Sequence, residues 1–458
     1  MTLSNIIEAC HGTYHGPQEK LSSMAEGVVI DSRKAEPGFV FIATKGERVD
    51  GHSFVRQVME KGALCVIAER TLQQEDFGPQ NEICYIQVSD SFQALKDIAA
   101  FYRSRLSIPV VGITGSVGKT STKEMIAGVL SAKFQVLKTE GNLNNEIGLP
   151  LTILSIRDCH EVAVVEMGIS DFGEMSRLTA IARPDICVIT NIGQCHLENL
   201  GTRDGILKAK TEIFEGLSKD GYAVLNGADD KLITISQVHG KKPYFFDSED
   251  CYATDVVSRG LFGTDCRIHT KDCVIWAQIG VPGAHQVSNA MAAVMVAQLL
   301  GMTKEEIETG IRMVRAIGGR NHIVQKGELT VIDDCYNANP VSMRAALDLL
   351  GLALGRKVAV LGDMFELGED SDALHRSVGE YAALSKADVL VCIGENARYI
   401  FEGADRVMAQ DEKNKLSLYY FTDKASFLAR RDEILRAEDT ILLKASHGMA
   451  FETLLEQL

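Results

Sequence analysis

No two of the eleven cysteines stand in a C-x-x-C pair. An odd, scattered set in a chain of 458 residues reads as reduced, mostly buried thiols, which excludes zinc ribbons and disulfide frameworks. An excess of basic charge is also missing. The formal net charge of −15 argues against a general nucleic-acid binder, whose surface carries a basic stripe. Anionic substrates remain open, because a site can be locally basic on an acidic protein. No stretch nears the ~18 uninterrupted apolar residues of a membrane span. The opening Met1-Thr2-Leu3-Ser4-Asn5-Ile6-Ile7 lacks a basic segment followed by a long apolar run, so no signal peptide is read. A soluble, cytoplasmic protein with no nucleic-acid partner is the expectation. Internal repeats and low-complexity segments are absent too.

What is present falls into three textures. A length of 458 residues suggests about three domains at roughly 150 residues each. Residues 1–106 hold short, turn-rich elements such as Val28-Val29-Ile30-Asp31-Ser32-Arg33 and Phe39-Val40-Phe41-Ile42-Ala43, the second after the turn dipeptide Pro37-Gly38. In residues 107–318, β-branched runs alternate with helical patterns. Val110-Val111-Gly112-Ile113, Val162-Ala163-Val164-Val165 and Ile186-Cys187-Val188-Ile189 read as buried parallel strands, and Thr122 to Ala132 as a helix between them. Residues 319–458 repeat the rhythm, with Leu329-Thr330-Val331-Ile332, Val358-Ala359-Val360-Leu361 and Val389-Leu390-Val391-Cys392-Ile393 as strands. The fold class expected is α/β: a central doubly wound, mainly parallel P-loop sheet, a Rossmann-like C-terminal domain and a smaller N-terminal α/β domain.

The run from Val110 to Met125 is strand, glycine-rich turn, then helix. Gly112-Ile113-Thr114-Gly115-Ser116-Val117-Gly118-Lys119-Thr120 lets the backbone wrap an anion, and the helix that follows offers unpaired N–H groups and its positive dipole end. Lys119 would reach the terminal phosphates and the Thr120 hydroxyl a magnesium ion. Gly115, Ser116, Val117, Gly118, Lys119, Thr120 and Ser121 are the expected nucleotide-binding residues. The general pattern G-x-x-x-x-G-K-[ST] is not met, since Ile113 stands where its first glycine belongs. Phosphoryl transfer needs a divalent metal, and oxygen ligands should lie at neighbouring strand ends. Glu166 closes the strand Val162-Ala163-Val164-Val165 and fits; His196 fits less directly. Lys208 and Lys210, two apart on a helix, cannot share one face, and composition alone makes both solvated charges.

At this point the residues resemble the Mur ligases, ATP-dependent enzymes that extend the peptide stem of the bacterial cell-wall precursor. The phosphate loop matches their G-x-T-G-[ST]-x-G-K-[ST] form. Further blocks carry the likeness: Asp31-Ser32-Arg33, Asp50-Gly51-His52, Gly141-Asn142-Leu143-Asn144-Asn145-Glu146, Glu166-Met167-Gly168, Asn191-Ile192-Gly193, His196-Leu197-Glu198, Gly283-Ala284-His285-Gln286 with Asn289, Asp333-Asp334-Cys335-Tyr336-Asn337-Ala338-Asn339-Pro340, and Gly362-Asp363-Met364-Phe365-Glu366.

The resemblance implies roles. ATP and magnesium, two ions, would be the cofactors. Thr120, Glu166, His196 and Lys210 would ligate metal, Lys210 as a carbamate, which turns a cation into an oxygen-ligand anion. Asn289 would meet adenine, Arg320 the γ-phosphate, Asp334 the ribose side, with Asn337 beside them. Ser32, Arg33, Gly51 and His52 would hold the UDP part of a substrate, and Asn142, Asn144 and Asn145 would face its reacting carboxylate. Lys119, Asn142, His196, Lys210 and Arg320 would be the catalytic set. The implied substrates are UDP-N-acetylmuramoyl-tripeptide and D-alanyl-D-alanine, joined through an acyl phosphate by a monomer. Residues 1–106 would hold UDP, 107–318 ATP, and 319–458 would close on ATP and bring the amine. Position 335 is Cys where Ser is commoner. Lys444-Ala445-Ser446-His447 stands where Lys-Gly-Ser-Arg is usual, so the C-terminal substrate contacts are not assigned. The rivals are a sister ligase that adds the third stem residue or adds glutamates to folate, and an ATP-binding module that does not ligate.

Overall fold

The computed structural model describes residues 1–46, 49–316, 318–411 and 415–458. The chain divides into two compact units, Met1–Asp250 with Met295–Gly301, and Cys251–Val294 with Met302–Leu458.

The first unit contains two sheets. Its six-stranded sheet runs Tyr244–Phe246, Tyr222–Asn226, Ile186–Ile189, Val110–Thr114, Val162–Glu166, Val136–Lys138 in spatial order, and every pair is parallel. The three runs expected as buried strands are strands, each buried along its whole length. Val, Ile and Ala on both faces suit a sheet covered by helices on both sides. From Val110–Thr114 the chain travels to the edge strand Val136–Lys138, returns to Val162–Glu166, then crosses to Ile186–Ile189 on the other side. The order therefore reverses at Val110–Thr114, and ligands favour the carboxyl ends of strands at such a reversal.

The five-stranded sheet of this unit, in the order Thr13–His15, Tyr85–Gln87, Cys65–Ala68, Phe39–Ile42, Gly27–Val29, is parallel except for its first pair. The stretch Val28 to Arg33 is a strand only as far as Val29. Asp31 then accepts the backbone N–H of Arg33 and turns the chain into the short 3-10 helix Ser32–Lys34, as a carboxylate at a helix start does. The helix Ser91–Ser104 packs into the core shared by both sheets. Its buried Arg103 donates to the carbonyls of Ala182 and Arg183 and to Asp185.

The second unit holds a six-stranded sheet in the order His322–Lys326, Leu329–Asp333, Thr440–Lys444, Lys357–Gly362, Val389–Ile393, Ser417–Phe421. It is parallel except for the hairpin of its first two strands. It also holds an antiparallel meander, Cys251–Ser258, Thr264–Thr270 and Val274–Ile279. The βαβ rhythm did not foretell this meander. One face of it is solvated, so Asp255, Asp265 and Arg267 interrupt the apolar pattern, and its register shifts between Thr254 and Val257. All eleven cysteines are free thiols and eight are buried. Among the described residues no helix is long and apolar enough to cross a membrane.

Candidate active site

The helix Lys119–Leu130 starts at Gly118, in a left-handed conformation (φ +84°) with no side chain capping the start. An uncapped start leaves N–H groups and the positive dipole end available to an anion. At Gly115 (φ +153°) an added Cβ would stand 2.0 Å from Thr190 Oγ1, so only glycine fits there. The loop is held open by a clamp from the neighbouring strand end. Asn191 accepts the N–H of Ser116 on its carbonyl at 3.0 Å and the N–H of Val117 on Oδ1 at 2.9 Å. It also donates from Nδ2 to the Val117 carbonyl at 2.8 Å, which Thr190 Oγ1 shares at 2.7 Å. Ser116 Oγ accepts the N–H of Gly193 at 2.9 Å. Lys119 folds back, its Nζ donating to the Gly115 carbonyl at 2.9 Å. Ser121 follows in the first turn, half-buried.

Beside the loop, the Thr120 hydroxyl donates to Glu166 Oε2 at 2.7 Å, and Asn144 Nδ2 donates to Oε1 at 2.8 Å. Glu166 is only 2% exposed, and its backbone N–H is held by Thr139 Oγ1 at 2.9 Å. A buried carboxylate carrying two directed donors is held in one orientation. Thr120 and Glu166 fit a hard divalent cation as oxygen ligands. Among the described residues no three His, Cys, Asp or Glu side chains gather into a cage of their own, so nucleotide or water oxygens would have to complete such a site. His196 stands at the start of the short helix Leu197–Leu200 with φ +50° and an exposed side chain.

Lys210 departs furthest from a solvated charge. It lies on the helix Arg203–Thr211 and is 1% exposed, whereas Lys208 is exposed and sits over the Phe172 ring. Burial first, and the Lys119 ammonium second, push its amine down to about 7. Cys195 works weakly in the opposite direction.

The other first-unit residues differ in how far the protein itself occupies them. Asn142 is exposed, and its carbonyl accepts the N–H of Asn144 at 2.7 Å. Asn145 Oδ1 accepts the N–H groups of Ile147 and Gly148, opening the helix Gly148–Leu154. In the five-stranded sheet domain, buried Ser32 offers its carbonyl to Lys61, and Arg33 forks onto Asp31. Gly51 leaves no room for a side chain against the Thr44 backbone. Both ring nitrogens of His52 are used, Nδ1 with Asp50 at 2.6 Å and Nε2 accepting the N–H of Glu69 at 3.1 Å. The ring thereby links Asp50 to the backbone at Glu69.

Within the second unit, Arg320 lies over the Tyr336 ring, 4.1 Å from its centroid, and its buried Nε has no hydrogen-bond partner among the described residues. Asp334 is paired with buried Lys444 at 2.5 Å and accepts the N–H of Asn321. Lys444 also donates to the Asn337 carbonyl at 3.0 Å; the Asn337 side chain accepts the N–H of Ala338. Buried Asn289 donates to Gln286 Oε1 at 3.0 Å. Sequence reasoning gave no role to Asn191, Thr190, Thr139, Lys123 or Lys444. Of these, Asn191 and Lys444 lay in quoted motifs.

A glycine loop opening a helix at the order reversal of an all-parallel sheet, with a strand-end carboxylate on the loop threonine, defines a nucleotide-binding P-loop α/β protein. Three family models match the chain: Mur ligase family, catalytic domain, over residues 25–103; Mur ligase middle domain over 113–297; and Mur ligase, glutamate ligase domain, over 319–447. The chain belongs to the Mur ligase family. It is similar to the UDP-N-acetylmuramoyl-tripeptide–D-alanyl-D-alanine ligase of Bacillus subtilis, with 38% identity over 100% of this chain and 98% of that protein. Among solved structures it resembles MurF from Acinetobacter baumannii, with a TM-score of 0.87 and 33% identity over 100% of this chain and 98% of that one. MurF ligase from Thermotoga maritima, solved in complex with ADP, matches with a TM-score of 0.78 and 29% identity over 94% and 97% of the two chains.

Proposed function

We propose that this chain is an ADP-forming amide ligase that joins D-alanyl-D-alanine to UDP-N-acetylmuramoyl-tripeptide in the cytoplasm. The observation that carries this reading is the Lys119 loop beside the Thr120–Glu166 pair, on a chain similar over its full length to a ligase named for these substrates. A peptide carboxylate is a poor electrophile. One of its oxygens attacks the γ-phosphorus of ATP, ADP leaves, and an acyl phosphate forms. The amine of D-alanyl-D-alanine then attacks the acyl carbon, and the carbon–oxygen bond breaks to release phosphate and one proton. Lys119 and the helix start meet the charge on the transferring group.

Thr120, Glu166, His196 and a carbamylated Lys210 are the side chains we assign to magnesium, which would neutralise phosphoryl oxygens. The depressed Lys210 amine supports the carbamate, because only a neutral amine attacks carbon dioxide. Asn142 lies exposed in the same loop as Asn144, so it is free to meet the carboxylate substrate. Arg320 has a guanidinium suited to a phosphoryl oxygen, and Asn289, Asp334 and Asn337 have polar groups suited to a nucleoside. Ser32, Arg33 and Gly51 are assigned to the UDP moiety within residues 1–106, and residues 107–318 and 319–458 to ATP and to the amine.

Phosphate release with one amine at a time tests the assignment. D-alanyl-D-alanine should support turnover only when the tripeptide precursor is also present. Diaminopimelate, lysine and glutamate should give less than about a hundredth of that rate, since a site built for the dipeptide leaves polar groups unpaired with the wrong amine. Equal turnover with one of the single amino acids would reassign the enzyme to a sister reaction.

A further inference from the structure

Lys123 lies one helical turn beyond Lys119, on the same face of the helix, and is 1% exposed. Its Nζ donates to the Thr139 carbonyl at 2.7 Å, stands 3.1 Å from Glu124 Oε1, and lies 3.9 Å from Glu166 Oε2. Glu124 is shared with Lys138 on its other oxygen. A charge chain Lys138–Glu124–Lys123–Glu166 thus ends on the carboxylate that also receives Thr120. The orientation of Glu166 is fixed by other groups: Thr120 on one oxygen, Asn144 on the other, and Thr139 on its backbone. At 3.9 Å Lys123 makes no hydrogen bond to Glu166. It acts on that carboxylate through its charge, and in a buried setting that charge is poorly screened. The plainer role, tying the helix to the strand end at Thr139, accounts for one of its three contacts and leaves the other two unexplained.

We propose that Lys123 is a positioning residue of an electrostatic kind: a built-in counter-charge to Glu166 that opposes binding of a divalent cation until a nucleotide is present. Without metal, Glu166 is a buried carboxylate that would be costly if uncompensated, and Lys123 compensates it. A divalent cation arriving alone meets that ammonium at close range in a low-dielectric site. A cation arriving with a nucleotide brings phosphate charges that outweigh it. The two ligands are thereby coupled, each raising the affinity of the other. This inference rests on Glu166 being a metal ligand, as proposed above.

Electron paramagnetic resonance of Mn2+, titrated into the full-length protein with and without ADP, tests it. The wild-type protein should bind Mn2+ weakly alone and more tightly with ADP. Lys123→Met should raise the affinity of the nucleotide-free protein on the order of tenfold and shrink the gain that ADP gives. Lys123→Arg, which keeps the charge, should behave as wild type. Glu124→Gln, which leaves Lys123 facing Glu166 alone, should weaken Mn2+ binding. Unchanged affinity in Lys123→Met, or an equal shift in Lys123→Arg, overturns the proposal. If Lys123→Met does not fold, Glu124→Gln decides it, and an unchanged affinity there overturns it as well. A wild-type protein that binds no Mn2+ even with ADP removes the metal reading, and this inference with it.

Discussion

Lys119→Ala is expected to cut ligation at least about a thousandfold, because a cation aimed at the transferring phosphoryl group has no substitute within the loop. The fold should survive the change. The clamp from Thr190 and Asn191 holds the loop by bonds that do not involve the Lys119 side chain. Thermal unfolding of the variant should therefore stay within about 1 kcal/mol of wild type, while single-turnover release of phosphate collapses. A second consequence is specific to this geometry. The Lys119 charge is one of the two causes that hold the Lys210 amine down. Its removal should let Lys210 keep its proton to higher pH. A variant that ligates at the wild-type rate would remove Lys119 from the chemistry.

Lys210→Ala should lower turnover by a factor on the order of a hundred to a thousand, the scale of losing a ligand that shapes a catalytic metal site. The direction with pH follows from the amine at about 7. Below that value Lys210 is an ammonium, beside another ammonium, and cannot take up carbon dioxide. Above it the neutral amine forms a nitrogen–carbon bond and releases one proton. At fixed dissolved carbon dioxide the carbamate, and with it turnover, should rise as pH climbs through about 7. Carbon-13 NMR of protein held in labelled bicarbonate should show a carbamate resonance that follows this rise and is missing from Lys210→Ala. Absence of the resonance in wild type across the range would leave Lys210 as a buried amine with another purpose.

The parts of this site that were legible in the sequence are those where the chemistry restricts residue type. Gly115 and Gly118 sit at positive φ with no room or no cap for a side chain, so the loop is written in glycine. Val110, Val164 and Val188 belong to strands buried on both faces, and their apolar runs stand out. Lys210 could have been read further than it was. Ile206, Ala209 and Ile213 are all buried and fall at helical spacing with position 210, which puts Lys210 on the inward face and Lys208 outside it. Asn191, Thr139 and Lys123 were hidden for a different reason. Their partners are 74, 27 and 43 positions away in the chain, at Val117, Glu166 and Glu166, and no local pattern encodes such a pairing. His52 is a similar case. The sequence places a histidine after Asp-Gly but does not show that its ring nitrogens meet Asp50 and the Glu69 backbone.

The central claim is that the tripeptide carboxylate attacks the γ-phosphate of ATP bound at the Lys119 loop. Oxygen-18 placed in that carboxylate tests it most directly, with mass spectrometry of the phosphate formed during ligation with D-alanyl-D-alanine. The acyl phosphate route transfers one labelled oxygen to each phosphate released. Phosphate that carries no label while the peptide bond forms would contradict it.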